Sequence, residues 1–284
     1  MNQNILYKIA LILFLLINNF EKDYIRSSIK NNYKTKTNSS IVKIFIMTHK
    51  DFDCEIYNPI YNIVVDDKKQ LKKNYNLDIL YASQSTLYNK KRAYGEMSKL
   101  YFIYELYKNA TISSKYIGLN HYRRYFDFCN NIPNLDNIFE NHDVILSRKI
   151  KMNLNTRDHY CKNHICQNFD EIIDIIKEIK PEYYKTAIKT SKEKQNYYFN
   201  LFIMKKYDFY NYCKFMYDIL FEFDKRHNFS SDEDILNYSS KYFNNREEYY
   251  YQSRVESFLS ERISNIFFKQ YFKKIKHCGV KYYS

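Results

Sequence analysis

Glycine, proline and tryptophan are almost missing from this chain: three, three and none in 284 residues. Lys, Asn, Ile and Tyr are raised instead, the skew an AT-rich coding sequence produces. It weakens any inference from the net charge of +13 to a nucleic-acid partner. The charge is also dispersed, with no long basic block. Six cysteines (Cys54, Cys129, Cys161, Cys166, Cys213, Cys278) are too few and too scattered to form a disulfide framework, and are expected mostly as free, small, buried side chains. No apolar run is long enough for a full membrane span. Ile5 to Ile17, apolar except for Lys8, covers only about 20 Å as a helix against a hydrocarbon thickness of about 30 Å. It suits a signal-peptide core, a weak anchor or a packing helix.

What is present describes a folded protein, since 45% of the residues are hydrophobic. We read residues 1–20 as an apolar segment, 21–40 as a polar linker and 41–284 as one catalytic-type domain. Its first strand is the near-continuous β-prone run Ile41–Met47, of the kind found in central parallel strands, followed by Thr48, His49 and Lys50. A polar triplet there sits where open α/β sheets bind ligands. Asp51-Phe52-Asp53 matches the Asp-x-Asp pattern that chelates a divalent metal in many sugar transferases, but three letters arise by chance and a solvated loop is the reading favoured here. Helical spacing predicts an amphipathic helix over 96–108, with Met97, Leu100, Tyr101, Tyr104 and Tyr107 along its apolar stripe.

The densest chemistry lies in Lys115–Phe126, where a short apolar run reaches Gly118 and then opens into His121, Tyr122, Arg123 and Arg124. Burying such cations is costly unless something negative meets them, and the natural partner is a phosphate or carboxylate gripped by guanidinium forks, with His121 able to add charge near neutral pH. The plain alternative is a solvated turn. His159, Cys161, His164 and Cys166 offer zinc-ligand chemistry, but their spacing fits no common module and the chain has no glycine-rich knuckle there.

Further strands are expected at 116–119, 143–146 and 198–204, the last carrying an interior amide, Asn200. Further helices are expected up to Pro181, over 208–226 and over 254–268. In the last, Arg262 falls inside the apolar arc and Arg254 and Glu261 lie on its edge. A buried Arg262 must be paired, as an internal salt bridge or as a second cation for the ligand site.

Taken in order, these landmarks resemble the bacterial capsular and exopolysaccharide-biosynthesis glycosyltransferases catalogued as domain of unknown function 4422. The resemblance is carried by Ile46–Lys50, Gly95-Glu96, Tyr116–Phe126, Tyr160 with His164, Pro181–Tyr184, Asn200–Met204, Tyr212-Cys213, Ile219–Phe221, and Arg254 with Glu261-Arg262. It implies an α/β nucleotide-sugar transferase fold of the A type: a Rossmann-like, mostly parallel sheet flanked by helices. It further implies transfer of a sugar from a nucleotide-diphosphate donor to a glycan or glycolipid hydroxyl. Thr48, His49, Lys50, Asn89, His121, Tyr122, Arg123, Arg124, Asn200 and Arg262 would bind the donor, and Glu96, His164 and Glu261 would serve the sugars or the acid–base step. Mn²⁺ or Mg²⁺ stays open as a cofactor. The chain departs from the family pattern at Ala82–Lys90, where only Asn89 and Lys90 persist, and in lacking tryptophans in the aromatic helix. A basic, Tyr-rich nucleic-acid binder and an inactive carbohydrate-binding relative are the competing readings.

Overall fold

The computed structural model describes residues 41–53, 56 and 58–283. The apolar segment and linker, residues 1–40, and Cys54 lie outside them. The chain divides into two compact units. Ser40–Tyr104 with Ser114–Ser284 forms the unit treated below; of the other, only Glu105–Ser113, the end of a helix and its exit, is described.

The first apolar run forms β1 (Val42–Met47), in which Ile44, Phe45, Ile46 and Met47 are all buried. Burial on both faces is what a strand without alternation requires, and it places β1 in the middle of a sheet. Parallel neighbours are β2 (Tyr61–Val65) and, on the other side, β4 (Tyr116–His121). The sheet runs β10-β6-β9-β4-β1-β2-β3, where β3 is Asp78–Tyr81, β6 Val144–Ser147, β9 Phe202–Lys205 and β10 Ile275–Cys278. Along this path only β9 runs against its neighbours β4 and β6; off it, β5 (Arg124–Phe126) pairs antiparallel with β4 and with β11 (Val280–Tyr282), while β7 (Ile150–Lys151) and β8 (Gln195–Asn196) form a separate antiparallel pair. The expected mixed, mostly parallel α/β architecture is therefore present. Gly118 of β4 lets these strands close up: a Cβ there would lie 2.9 Å from Ile44 and 3.0 Å from Ile203.

The helix Glu96–Lys108 starts and ends as its stripe predicts. The long helix Lys206–His227 and the last helix Val255–Tyr271 bury apolar faces against each other, with Tyr212 and Phe268 stacked at 5.4 Å. The expected strand over 198–204 is shorter. Phe199 and Asn200 take positive φ of 82° and 50°, so pairing starts only at Phe202. Non-glycine residues hold that conformation only where their surroundings compel it, and such strain clusters at functional sites. No helix among the described residues is long and apolar enough to cross a membrane.

Candidate active site

A cavity of about 660 Å³ opens beyond the carboxyl ends of β1, β2 and β4. β1 delivers Thr48 and His49, and β2 delivers Asp66. β4 turns back after His121 through a two-residue loop into β5 (Arg124–Phe126), and the Tyr122 amide donates to Met47 O at 3.1 Å, clamping this hairpin to the end of β1. Glu96 enters at the start of its helix, just after Gly95. That glycine has φ +55°, and a Cβ on it would sit 2.8 Å from Ser257 Oγ. The last helix contributes Ser257, Phe258, Glu261 and Arg262, with Arg254 at its cap.

Of the residues singled out from the sequence, Thr48, His49, Glu96, His121, Arg123, Arg124, His164, Glu261 and Arg262 line this one cavity. Lys50, Asn89, Tyr122 and Asn200 do not line it. Lys50 is exposed. Asn89 donates to Ser230 O at 2.6 Å, tying two surface segments together. Tyr122 is buried beneath the hairpin, edge-on to His49 at 5.4 Å. Asn200 stands behind the wall, donating to Glu96 Oε1 at 2.6 Å, so its role is to hold that carboxylate rather than to meet a ligand. Lys90 likewise serves the framework, through its ion pair with Asp224 at 2.5 Å.

The cavity's charges divide into paired and unpaired. Asp66 and Lys99 form a buried ion pair at 2.8 Å, and Arg262 donates to Glu261 at 2.9 Å and to Phe258 O at 2.8 Å. Arg262 is therefore the internal salt bridge, and its partner leaves Arg254 without the edge pairing its spacing offered. Arg123, Arg124 and Arg254 have no carboxylate partner among the described residues. They lie over rings instead: Arg123 over Tyr122 at 5.1 Å, Arg124 over Phe199 at 4.1 Å, Arg254 over Phe258 at 5.5 Å. The Arg124 Nε is buried with no hydrogen bond.

Burial, reinforced by the neighbouring cations, sets the histidines. Burial, then Arg124 and Arg123, hold His121 down to about 3, so it is neutral near pH 7, contrary to the charge expected of it. Its Nδ1 accepts from the Arg123 amide at 3.2 Å, which leaves the proton on Nε2. Burial also pulls His164 down to about 4. Gln252 donates Nε2 to Asn163 O, so its Oε1 faces His164 and Nδ1 carries the proton at 2.9 Å. The His164 Nε2 is then a free acceptor. Burial raises Glu96 above the usual carboxylate range; the Asn200 bond opposes this and nearby Glu261 adds to it.

The metal motifs fare differently. Cys161 and Cys166 are joined as a disulfide, which removes two of the four zinc-type ligands; Cys129, Cys213 and Cys278 are free, as most of the cysteines were expected to be. Asp51 accepts from the Lys72 and Lys73 amides and Tyr75 OH, and Asp53 pairs with Lys73 at 2.6 Å, away from the cavity. No cluster of three His, Cys, Asp or Glu among the described residues could hold an ion.

Sequence reasoning missed Asp66, Gln70, Lys91, Arg92, Lys99, Phe199, Tyr250, Tyr251, Ser257 and Phe258 as cavity residues. Asp66 was findable as the first acid after the apolar run of β2, and Lys99 as a cation inside an apolar helical face. Tyr250 and Tyr251 carry no such signal in a chain with 32 tyrosines.

This sheet and cavity place the chain among proteins with a glycosyltransferase-like fold. The solved apo structure of WbbM, a bifunctional glycosyltransferase, superposes with a TM-score of 0.59 at 20% identity, over 86% of this chain and 45% of that one. The chain thus spans less than half the length of that protein. Residues 43–274 match the family described as domain of unknown function DUF4422, and the chain belongs to that family. No curated protein matches it in sequence.

Proposed function

We propose that this protein transfers a sugar from a nucleotide-diphosphate donor to a hydroxyl of a glycan or glycolipid, in surface-polysaccharide or related glycan synthesis. The carrying observation is the pair Arg123–Arg124, two adjacent guanidiniums that meet the cavity with no carboxylate to neutralise them. Membership of the family and the shared fold support the same reading.

In this reading the two forks hold the diphosphate and stabilise the charge that develops as the sugar C1–O bond breaks, the electron pair leaving on the β-phosphate oxygen. The His121 Nε2–H donates to the same group. The acceptor oxygen forms the new bond to C1, and its proton passes to Glu96, whose raised pKa makes it a better base than a solvated carboxylate. His164 Nε2 accepts a sugar hydroxyl, and Thr48 and His49 contact the nucleoside. Asp66 Oδ1, buried without a hydrogen bond, is available to a nucleoside N–H or O–H.

Uridine- and guanosine-diphosphate hexoses are the probes. One of them is expected to raise the melting temperature and to release nucleoside diphosphate. Arg123 is exposed, so Arg123→Ala will fold, and losing a charge-assisted bond of about 1.5–3 kcal/mol should weaken donor turnover roughly ten- to hundredfold. Full turnover in that variant would remove the diphosphate assignment.

A further inference from the structure

The cavity has two unlike walls, and of the second the proposed chemistry uses only His164. Apart from the basic hairpin runs a ladder of rings: Tyr251 lies 5.2 Å from Phe258, Phe258 stacks on His164 at 4.0 Å, and His164 lies 4.9 Å from Tyr160. The ladder starts in solvent. Tyr250 and Tyr251 are 53% and 52% exposed, yet both line the cavity, and no other exposed tyrosine or phenylalanine among the described residues does.

Exposed rings on a surface helix are usually free to move, but these are held. The Arg92 guanidinium sits 4.5 Å over Tyr250 and is itself fixed by donating to Asp232 O at 2.9 Å. The helix Arg246–Gln252 that carries both tyrosines is pinned at its start by the Asn245 side chain. At its end it is pinned by Gln252, which bridges Asn163 O and His164. A fixed aromatic surface pays little ordering entropy when a ligand covers it. Flat apolar rings bordered by polar groups suit a molecule with an apolar face and hydroxyl edges, which describes a pyranose. The ladder leads from this mouth to His164 and, along the last helix, to the Glu261 side of the site where Glu96 stands.

The geometry points to Tyr250 and Tyr251 as the acceptor subsite, a platform on which the terminal hexopyranose of the acceptor glycan lays its C–H face so that its hydroxyl reaches Glu96. This rests on the transferase reading and deepens it.

The test is saturation-transfer difference NMR on the full chain with methyl gluco-, galacto- and mannopyranosides, each with uridine or guanosine diphosphate present. At least one pyranoside should show saturation concentrated on the protons of one ring face. Tyr251→Ala and Tyr250→Ala should cut that saturation at least threefold, and Tyr251→Phe should keep it. The nucleotide-induced melting shift, measured on the same samples, reports that the variant is folded and its basic wall intact. Saturation unchanged in the double alanine variant, or absent for every pyranoside while a nucleotide still raises the melting temperature, overturns the acceptor subsite alone. Loss of the nucleotide shift on Tyr251→Ala, with the melting temperature of the unliganded variant unchanged, assigns the rings to the donor and overturns it too. Absence of any nucleotide shift in the unaltered protein sinks the transferase reading, and the subsite with it.

Discussion

Arg123 and Arg124 are neighbours in sequence, but the fold treats them differently. Arg123 is exposed over Tyr122, whereas Arg124 is partly buried, with its plane on Phe199 and its Nε cut off from water. A lysine in place of Arg124 keeps the charge but loses both the stacking and the fork. Arg124→Lys should therefore reduce nucleotide affinity by about tenfold or more, by roughly the worth of one charged hydrogen bond, while Arg123→Lys costs less; titration calorimetry with nucleoside diphosphate decides. The histidines give a pH signature. In the unfolded chain His121 and His164 take up protons near pH 6.5, but in the fold only near 3 and 4. Between those values the unfolded state binds more protons, so stability should fall as pH drops below about 6.5 and the loss should continue to about 3. Glu96 acts in the opposite sense: its raised pKa contributes stability below the usual carboxylate range that is lost as pH rises through its own value. Thermal melts from pH 7 to 5 should show the decline, and His121→Gln with His164→Gln should flatten it. An unchanged slope in the double variant would remove the neutral-histidine account.

At the scale of elements, the site depends on close approach between strands and on one strained junction. Gly118→Ala would push a methyl into the side chains of Ile44 and Ile203, within 3.0 Å of each, and both are branched, fully buried residues with little room to give. Overpacking of this kind costs about 1–3 kcal/mol, or roughly 2–10 °C in melting temperature for a domain of this size, measurable by scanning calorimetry. A melting temperature unchanged by that substitution would mean that β1 and β9 yield more readily than their packing indicates. Helix and strand positions were legible because β1, the helix Glu96–Lys108 and the last helix each carry an unbroken pattern of the right period. The Phe199-Asn200 junction was not legible. Its residues are apolar and β-prone around one amide, and what breaks the strand is the contact each side chain makes, Phe199 with Arg124 and Asn200 with Glu96, across more than seventy residues. The Cys161–Cys166 bond was missed for a related reason. Counting cysteines tests for a framework of several bridges, and a single bridge between two adjacent helices leaves no such count.

At the scale of the whole molecule, the charge of +13 must be separated from the charge of the site. Dispersed surface lysines attract any polyanion, and that attraction collapses with salt, by about 10³-fold or more between 50 and 200 mM for a protein making six or more phosphate contacts on DNA. A nucleotide held in the cavity with the partly buried Arg124 guanidinium among its partners is screened less. The melting shift from a nucleoside diphosphate should thus survive at 200 mM salt with at most a severalfold loss of affinity, while RNA or DNA binding disappears; the reverse pattern would favour the nucleic-acid reading. By itself the sequence determined the class of fold, the family likeness, the existence of a cationic turn at the end of a buried strand and the need for Arg262 to be paired, because each follows from local pattern and the cost of burying charge. Only the tertiary structure decided which of those charges are spent. Whether a guanidinium meets Glu261 or an open cavity, whether a histidine is charged, and which of 32 tyrosines line that cavity all depend on what distant segments bring within a few ångströms, and no local pattern carries that distance.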